Sequence, residues 1–513
     1  MLENKVLLHS FVPLAVTLMS FRRIRRFKTI RVHLHSPGLE MGPRHDPLAS
    51  AFMNGTVKGK DVFIPIQQVI GGQTRVGYGW NMLMDCLAEG RSISLPASAV
   101  AGAALSLNAV GGYARIRKQF KVPIATMEGV QEHLARIGNQ TFIATAGQHL
   151  VNGMINNHEQ PAVISGVCKQ QITDRGRKAI TEGMDVLGGA GICQGPANFI
   201  ANGYKTMPVA ITVEGANTLT RSLIIFGQGL TRAHPHLFDM IQSIQAGDNQ
   251  AGFMKELNNL LKHGVVNTGR SLSQVVTRSR SKSNLLGHYE SQLSKLSANF
   301  ALCSDLALTI GGKLKFTEMI SGRFADVFSN LYLGYACCWY YNQNKDVKDI
   351  DIIFDHAMTT ICYDAQQSFD GIFRNFPLLG VGTVMRALTF PTGLPYRQPS
   401  DKDTKAVADL VSSDSQVREL LSVGVFISKN PNDRVALINA TLPKAMTADL
   451  ILADMRKNKR QATREEQVMI DEVEDARNEI IQVDAFEKLG KERHMGKEYI
   501  RPALQDYMAT KGI

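Results

Sequence analysis

From residue 78 to residue 229, apolar side chains recur at helical spacing, and this pattern constrains the fold more than any other feature of the chain. It is clearest over 80 to 113, 130 to 157 and 162 to 187. The first of these segments is also rich in Ala and Gly, which allow helix backbones to approach closely. We therefore predict a tightly packed helical bundle over residues 77 to 230 and expect the chemistry to lie there.

A second helical region is predicted over residues 231 to 513, where the composition changes. A Pro-rich connector at 390 to 403 precedes a charged helical pattern at about 445 to 482. The strongest periodic patterns lie before the connector, at 289 to 310, 313 to 342 and 349 to 372. The chain is thus expected to be mainly α, with two helical domains.

The first 76 residues differ from the rest. Residues 37 to 76 contain many turn formers and one alternating apolar pattern, which predicts a strand from Asp61 to Ile66. A single hairpin is marginally stable in water, so this β structure is expected to need other material to cover it. Residues 1 to 36 form an atypical basic and apolar leader.

The charge is uneven along the chain. Residues 1 to 36 hold seven Lys and Arg residues against one Glu, so about half of the formal net charge of +11 lies in this short segment. A basic patch that could follow a nucleic-acid backbone is therefore not expected in the rest of the chain. We predict no nucleic-acid partner.

Two features bear on localisation. The apolar stretch 6 to 21 contains Pro13 and is followed by the arginine cluster, which inverts the charge order of a secretory signal. An amphipathic anchor at a membrane surface stays open as an alternative. The seven cysteines form no CxxC pair, which is typical of reduced thiols in the cytoplasm and predicts no metal site.

The stretch ITVEGANTLTRSL, residues 211 to 223, places Glu214 where irregular backbone meets the start of a helix. Two interpretations are open. Glu214 is either an acid of the first helical turn, stabilised by the helix dipole, or a catalytic carboxylate.

Two basic motifs precede it. RIRKQFKVPI, residues 115 to 124, would place Arg117 and Phe120 on one face of a helix, where they could hold an anion and a planar ring; a solvated helix end stopped by Pro123 is the alternative. Arg91 in CLAEGRSISLP begins a weakly charged helix and would more commonly be a surface residue.

The stretch MDVLGGAGICQG, residues 184 to 195, is rich in glycine. No strand precedes it, so a Rossmann turn is not expected. A helix C-terminus closed by Gly188 and Gly189 fits better, and glycines there would let a phosphate approach backbone N–H groups. The sequence contains no HExxH, GxSxG or Walker A motif, so zinc-peptidase and serine-triad chemistry are not expected.

Four of these motifs, taken together, resemble the acyl-CoA dehydrogenase family: GR at 90 to 91, RKQF at 117 to 120, LGG at 187 to 189 and VEGAN at 213 to 217. Further stretches, among them GPRHDPL, FGQGLTR and FPTG at 390 to 393, are similar to the large bacterial fatty acyl-CoA dehydrogenases that carry a C-terminal helical extension. The resemblance covers about residue 37 to the C-terminus.

The resemblance implies a flavoenzyme that binds FAD, oxidises fatty acyl-CoA, passes electrons to an electron-transfer flavoprotein and forms homo-oligomers. Glu214 would be the base that removes the α-proton of the thioester, while the β-hydride goes to the flavin N5. Arg91 would help to bind the substrate. The residues implied to bind FAD are Arg117 and Phe120, in the neighbouring subunit, with Gly188, Gly189 and Asn217.

The chain departs from the family pattern at three places. Lys121 stands where the family usually has glycine, and Asp185 where it has glutamine. By the resemblance the chain begins near the end of the middle β domain, so residues 37 to 76 would be its remnant and most of the flavin-facing wall would be absent. A misplaced start or shifted frame would explain the leader, and an inactive fragment or assembly subunit is the alternative function.

Overall fold

The structure is a computed structural model of the 513-residue chain. It describes residues 12–16, 28–32, 35–48, 55–230, 234–245, 250–276 and 284–486. The chain divides into two compact units, residues 1–91 and 92–513, and each is described by itself.

The described part of the first unit contains two antiparallel hairpins. Strand β1 (Val12–Val16) pairs with β2 (Lys28–Val32), and β3 (Leu39–Arg44) pairs with β4 (Gly55–Gly59). The prediction of β structure after residue 37 is confirmed, but the strand predicted from Asp61 to Ile66 is wrong. Asp61 has a left-handed φ of 52°, which interrupts the extended backbone at the start of that segment.

The helices that follow account for most of the chain. The first seven are α1 (Gly79–Leu105), α2 (Gly111–Ile116), α3 (Glu128–Asn156), α4 (Ala162–Leu187), α5 (Gly189–Ile192), α6 (Ala201–Thr212) and α7 (Asn217–Leu219). Two π-helical segments, Ser106–Val110 and Thr220–Gln228, extend α1 and α7. A short hairpin of β5 (Lys118–Gln119) and β6 (Val122–Pro123) lies between α2 and α3.

The remaining helices lie in the region predicted as a second helical domain. They are α8 (Leu237–Gln245), α9 (Gln250–Val276), α10 (Leu285–Ala307), α11 (Glu318–Gln343), α12 (Ile350–Asn375), α13 (Val381–Thr389), α14 (Asp401–Val411), α15 (Gln416–Leu421), α16 (Arg434–Asn458) and α17 (Arg464–Ile480). The mainly helical fold is thereby confirmed.

The helices of the bundle pack closely because glycines stand where they cross. A Cβ atom at Gly176 of α4 would lie 2.6 Å from the backbone oxygen of Ala99 in α1. A Cβ atom at Gly111 of α2 would lie 2.2 Å from the backbone oxygen of Val411 in α14. The prediction that small residues permit close helix approach is confirmed, and at Gly111 the close approach joins the bundle to the later helices.

Buried arginines from the later helices also reach the bundle. Arg418 of α15 donates from Nη2 to the backbone oxygen of Asn108, at 2.9 Å. Arg477 of α17 donates from Nε to the backbone oxygen of Ile116, at 2.7 Å. Because Ile116 ends α2, its carbonyl lacks an ordinary helical partner, and the arginine satisfies it. The later helices therefore cover the end of the helix that leads into the RKQF stretch.

Two long apolar helical stretches, Gly90–Ile116 and Arg434–Asn458, are long and apolar enough to cross a membrane by length and composition. Half and one third, respectively, of their most apolar windows are buried against other parts of the protein. Helices in the core of a soluble protein show the same composition, so this is weak evidence for a membrane span.

Candidate active site

The residues Val213 to Asn217 form a tight loop, here called the Glu214 turn, between α6 and α7. Glu214 has φ 54° and Gly215 has φ 93°, so two successive residues are left-handed. For a residue with a Cβ atom this conformation costs roughly 1–2 kcal/mol. Such strain persists only where the surroundings hold it, and it is concentrated at functional sites.

The interpretation of Glu214 as an acid of the first helical turn is wrong. Helix α7 begins at Asn217, three residues later, and has no acid in its first turn. The partly buried carboxylate thus sits in the loop before the helix, on a backbone that a helix dipole does not explain.

A lysine that the sequence patterns did not single out holds this turn. Lys169 of α4 has a relative exposure of 0%. Its Nζ donates to the backbone oxygen of Gly215 at 2.6 Å and to Oδ1 of Asn217 at 2.8 Å. A buried ammonium group requires hydrogen-bond acceptors, so the burial of Lys169 depends on the Glu214 turn. The conformation of the turn depends in return on the hydrogen bonds from Lys169.

Asn217 completes the connection to α4. Its Nδ2 donates to Oγ1 of Thr173 at 3.0 Å and to the backbone oxygen of Gln170 at 3.3 Å. The amide of Asn217 therefore has α4 as partner for both its oxygen and its nitrogen. The one sequence signal for Lys169 was a lysine on the face of α4 that also carries Ile172 and Gly176, both of them buried.

Arg91 lies in α1 and is buried, with a relative exposure of 7%. The more common interpretation of this residue as a surface arginine is wrong. Burial of a guanidinium demands compensating partners, which is consistent with a functional or structural task for the group. Its predicted contact with substrate stays a prediction.

The helical face predicted for Arg117 and Phe120 is also wrong. Helix α2 ends at Ile116, and the RKQF stretch runs into the β5–β6 hairpin, whose two loop residues are Phe120 (φ 50°) and Lys121 (φ 65°). Two consecutive left-handed residues are the signature of a type I′ hairpin turn, which glycine and asparagine normally fill. Because Phe120 and Lys121 stand where glycine or asparagine would be expected, the sequence did not predict the hairpin.

The two RKQF residues face different surroundings. Phe120 is 91% exposed at the hairpin tip. The guanidinium of Arg117 donates to the Tyr113 hydroxyl at 2.9 Å and lies 5.9 Å from the centre of that ring. Burial raises the pKa of Tyr113, so the hydroxyl stays protonated while it accepts this bond.

The prediction that Gly188 closes a helix is confirmed. Helix α4 ends at Leu187, and Gly188 follows with φ 56° while its N–H donates to the backbone oxygen of Met184 at 2.9 Å. Gly188 and Gly189 are exposed, and within the described part of the chain no atom beyond the adjacent backbone would lie within 4 Å of a Cβ added to either. The space above this backbone is open to a ligand.

The structure brings α2 and the LGG stretch together. A small cavity of about 10 Å³ is lined by Tyr113, Leu187 and Ala190, and its other wall includes Val483 and Asp484 from the segment after α17. The carboxylate of Asp484 accepts from the backbone N–H of Ala197 at 2.7 Å. The segment after α17 therefore covers the stretch that follows LGG.

Two clusters among the described residues have side chains close enough to hold a metal ion, one of His234, His263 and Asp305 and one of His133, Glu182 and Asp185. Nδ1 of His234 accepts from the backbone N–H groups of His236 and Leu237, both at 3.2 Å. Its proton is therefore on Nε2, which donates to Asp305 at 3.1 Å. Histidine ligands donate from the nitrogen that does not bind the metal, so His234 acts as a cap for α8 in this arrangement.

Comparisons with known proteins agree with this fold. A family model described as "Acyl-CoA dehydrogenase, C-terminal domain" matches residues 77–227, and one described as "Acyl-CoA dehydrogenase, C-terminal, bacterial type" matches residues 231–501. The second covers more than half of the chain.

Among solved structures, an acyl-CoA dehydrogenase of Bacillus anthracis complexed with FAD aligns with a TM-score of 0.59 at 15% identity, over 75% of this chain and 66% of that one. The acyl-CoA oxidase 1 of Yarrowia lipolytica aligns with a TM-score of 0.50 at 18% identity, over 78% of this chain and 61% of that one. Protein HemX of Proteus mirabilis is 49% identical over 74 residues, which are 14% of this chain and 44% of that protein. The chain thus spans less than two thirds of the length of each relative.

The helical bundle with its further helical region is the fold class of acyl-CoA dehydrogenases and oxidases. The chain belongs to the acyl-CoA dehydrogenase family, and its residues 231–501 match that family's bacterial type of C-terminal region.

Proposed function

We propose that this chain catalyses the α,β-dehydrogenation of medium- or long-chain fatty acyl-CoA to the trans-2-enoyl-CoA, a step of fatty-acid β-oxidation, with Glu214 as the base. The observation that carries the proposal is the strained Glu214 turn, which Lys169 and Asn217 fix to α4. A base must be held in place to meet a weakly acidic C–H bond, and a carboxylate on a fixed turn meets that need.

The Cα–H bond breaks and its proton moves to the Glu214 carboxylate, while the Cβ–H bond gives up a hydride and the two carbons form a double bond. When bound, FAD supplies the acceptor for that hydride. The fixed position of Glu214 orients the proton transfer, and the partial burial of the carboxylate limits competing water.

The residues that would hold FAD fit the group. Gly188 and Gly189 present open backbone on which a pyrophosphate could rest, and Arg117 supplies a cation just before the hairpin that carries the exposed ring of Phe120. An aromatic ring that is 91% exposed at a hairpin tip suits contact with a neighbouring subunit, which supports a homo-oligomer. Asn217 would act near FAD through the turn, since its own amide is engaged by α4.

The proposal also covers binding partners and subcellular localisation. Arg91 would help to bind the acyl-CoA, and an electron-transfer flavoprotein would take the electrons. The protein would reside in the cytoplasm, since six of the seven cysteines, those whose side chains the structure describes, are free thiols, as in a reducing compartment. Association with a membrane surface through the leader is the alternative, and most of residues 6 to 21 lie outside the described residues.

The test begins with the purified full chain incubated with FAD. We expect a flavin absorbance band that remains after gel filtration and is bleached by a long-chain acyl-CoA. Glu214→Gln should lower turnover with an artificial electron acceptor about 10²–10⁴-fold, the usual size of a lost general base. The FAD content should not change.

The matched control is Glu419→Gln, which changes an exposed carboxylate on α15 and should leave turnover as it is. Equal rates for the Glu214 and Glu419 variants would remove Glu214 from the role of base. A colourless protein that retains no FAD and shows no turnover would favour the second candidate, an inactive fragment or assembly subunit.

A further inference from the structure

Helix α9 (Gln250–Val276) presents an apolar row to solvent, here called the α9 stripe, which consists of Met254, Leu261 and Val265. These residues recur at i, i+7 and i+11 and so lie on one face of the helix. Leu261 and Val265 are 60% and 74% exposed, and Met254 is exposed as well. At a rise of about 1.5 Å per residue, the stripe runs for about 16 Å. A contiguous apolar row on a surface marks a place of contact.

The inward face of α9 is polar in the second half of the helix. Asn267 and Ser271, at i and i+4, are both buried. Asn267 donates from Nδ2 to Oδ2 of Asp305 in α10 at 3.0 Å. Ser271 donates from Oγ to Oδ1 of Asn299 in α10 at 2.7 Å. A helix at a water-facing surface buries its apolar side and exposes its polar side. This half of α9 shows the reverse, which fits a helix whose outer face meets apolar surroundings.

The positive charge that lies outside the leader is concentrated at this helix. Residues 1 to 36 hold seven of the 57 Lys and Arg residues and one of the 46 Asp and Glu residues, so residues 37 to 513 keep a formal net charge of +5. Residues 250 to 283 hold six Lys and Arg residues against one Glu, which equals that whole surplus. Three of the six, Arg278, Arg280 and Lys282, follow α9 and lie outside the described residues.

Two lysines flank the α9 stripe. Lys255 and Lys262 each follow a stripe residue by one position, which places them about 100° round the helix from it, and both are exposed. The one acid of the helix, Glu256, is largely buried, and its Oε2 lies 3.1 Å from Nδ1 of His236. Among the described residues of α9, the outer face thus combines an apolar row with cations and carries no acid.

These features favour one occupant of the stripe over others. A second copy of the chain would bring the same cations against it across a two-fold interface, where like charges repel. A nucleic acid would pair with the cations but would leave the apolar row in water. An anionic lipid surface satisfies both features, because acyl chains take up the apolar row and headgroup phosphates attract the lysines.

We propose that the outer face of α9 docks on an anionic lipid surface, with the α9 stripe at the boundary between headgroups and acyl chains and with Lys255 and Lys262 at the headgroup phosphates. The helix lies along the surface and does not cross it, since its polar face stays bonded to α10. This surface is separate from the leader and does not depend on the dehydrogenation proposed for Glu214.

The test measures how the full chain sediments with vesicles, one set of phosphatidylcholine with anionic phosphatidylglycerol and one of phosphatidylcholine alone. We expect the unaltered chain to bind the anionic set, and less tightly at high salt because salt screens the attraction to the headgroups. Leu261→Gln removes apolar contact and should weaken this binding about tenfold. Lys262→Gln should weaken it about fivefold, and at low salt only.

Leu450→Gln and Lys457→Gln on α16 are the matched controls, since each makes the same change at an exposed position of another helix. Both should bind the anionic vesicles like the unaltered chain. The leader is the same in every variant, so a difference between variants belongs to the helix that was changed. Thermal melting should show all four variants as stable as the unaltered chain, because exposed substitutions change stability little.

Three outcomes would overturn the docking surface. Equal binding by the α9 variants and the α16 controls would assign all vesicle binding to another part of the chain. Equal binding of the unaltered chain to the two sets of vesicles would remove the anionic lipid as its partner. Light scattering without lipid tests the second copy: a smaller particle for Leu261→Gln than for the unaltered chain would show that another protomer covers the stripe.

Discussion

The Glu214 turn and the β5–β6 hairpin have the same backbone peculiarity and opposite surroundings. Each contains two successive residues with positive φ, Glu214 and Gly215 in one and Phe120 and Lys121 in the other. The first pair is held by a fully buried lysine, whereas the second carries a ring that is 91% exposed. The two strained turns therefore differ in support: internal hydrogen bonds fix the Glu214 turn, whereas the hairpin presents its strained residues to solvent.

The largest expected effect concerns the group that holds the turn. Lys169→Met removes a fully buried donor and its hydrogen bonds to the backbone oxygen of Gly215 and to Oδ1 of Asn217. Hydrogen bonds to a charged group contribute about 1.5–3 kcal/mol each, so we expect the free energy of unfolding to fall by about 3 kcal/mol. Chemical denaturation measures it, and turnover should fall more than the affinity for acyl-CoA.

Lys118→Met is the matched control in the hairpin. Lys118 forms a single ion pair, with Asp449 at 2.8 Å, in which the side chains are 16% and 26% exposed. One contact to a charged group contributes about 1.5 kcal/mol, so the expected loss is about half of that at Lys169. If both lysine variants lose the same stability, the two regions do not differ as described. Rescue of turnover by Lys169→Arg would show that a cation at this place suffices.

The sequence predicted the helices well and the turns poorly. Apolar periodicity located α3 and α4 to within a few residues, because core burial repeats along a helix. It missed the hairpin at Phe120 and Lys121, because the turn uses residues that ordinarily avoid positive φ. Lys169 was missed for another reason, since its partners are about 46 residues away in sequence.

The same limit applies to the candidate site. Glu214 was found from its motif, but the positive φ of its backbone and its position three residues before α7 are visible only in the three-dimensional structure. Arg91 was assigned as a surface residue in the pattern-based interpretation, because sequence does not show which face of an Ala-rich helix is covered. The burial of Arg91 and the long-range hydrogen bonds of Lys169 depend on the folded structure, so the apolar periodicity of the sequence did not indicate them.

A smaller effect is expected at the hairpin tip. Phe120→Ala removes an exposed ring, so the free energy of unfolding should change by less than about 0.5 kcal/mol, as for most surface substitutions. If Phe120 meets FAD in a neighbouring subunit, the affinity for FAD should fall about tenfold, within the range of a stacked aromatic contact. Fluorescence titration with FAD and light scattering for oligomer size measure both.

Val122→Ala is the control for that measurement, since Val122 is also exposed in the hairpin but has no ring. A loss of FAD affinity confined to Phe120→Ala supports outward contact. Unchanged affinity and unchanged oligomer size for Phe120→Ala would show that the exposed ring has no partner of this kind.

The smallest expected effect comes from relieving the backbone strain at Lys121 alone. Lys121 has φ 65°, and glycine adopts this conformation without the penalty of about 1–2 kcal/mol that a Cβ atom incurs. Glycine also loses roughly 0.5–1 kcal/mol more conformational entropy on folding. Lys121→Gly should therefore raise the free energy of unfolding by about 0.5 kcal/mol, the difference between these terms.

Glu214→Gly is the matched substitution in the Glu214 turn. Glu214 has φ 54°, so the same substitution should relieve similar strain, but it should also abolish turnover, whereas Lys121→Gly should leave turnover unchanged. Denaturation curves and rates for the two glycine variants can be measured side by side. A stability gain in both, with turnover lost only at position 214, would mean that the strain in the turn is retained for the carboxylate it carries.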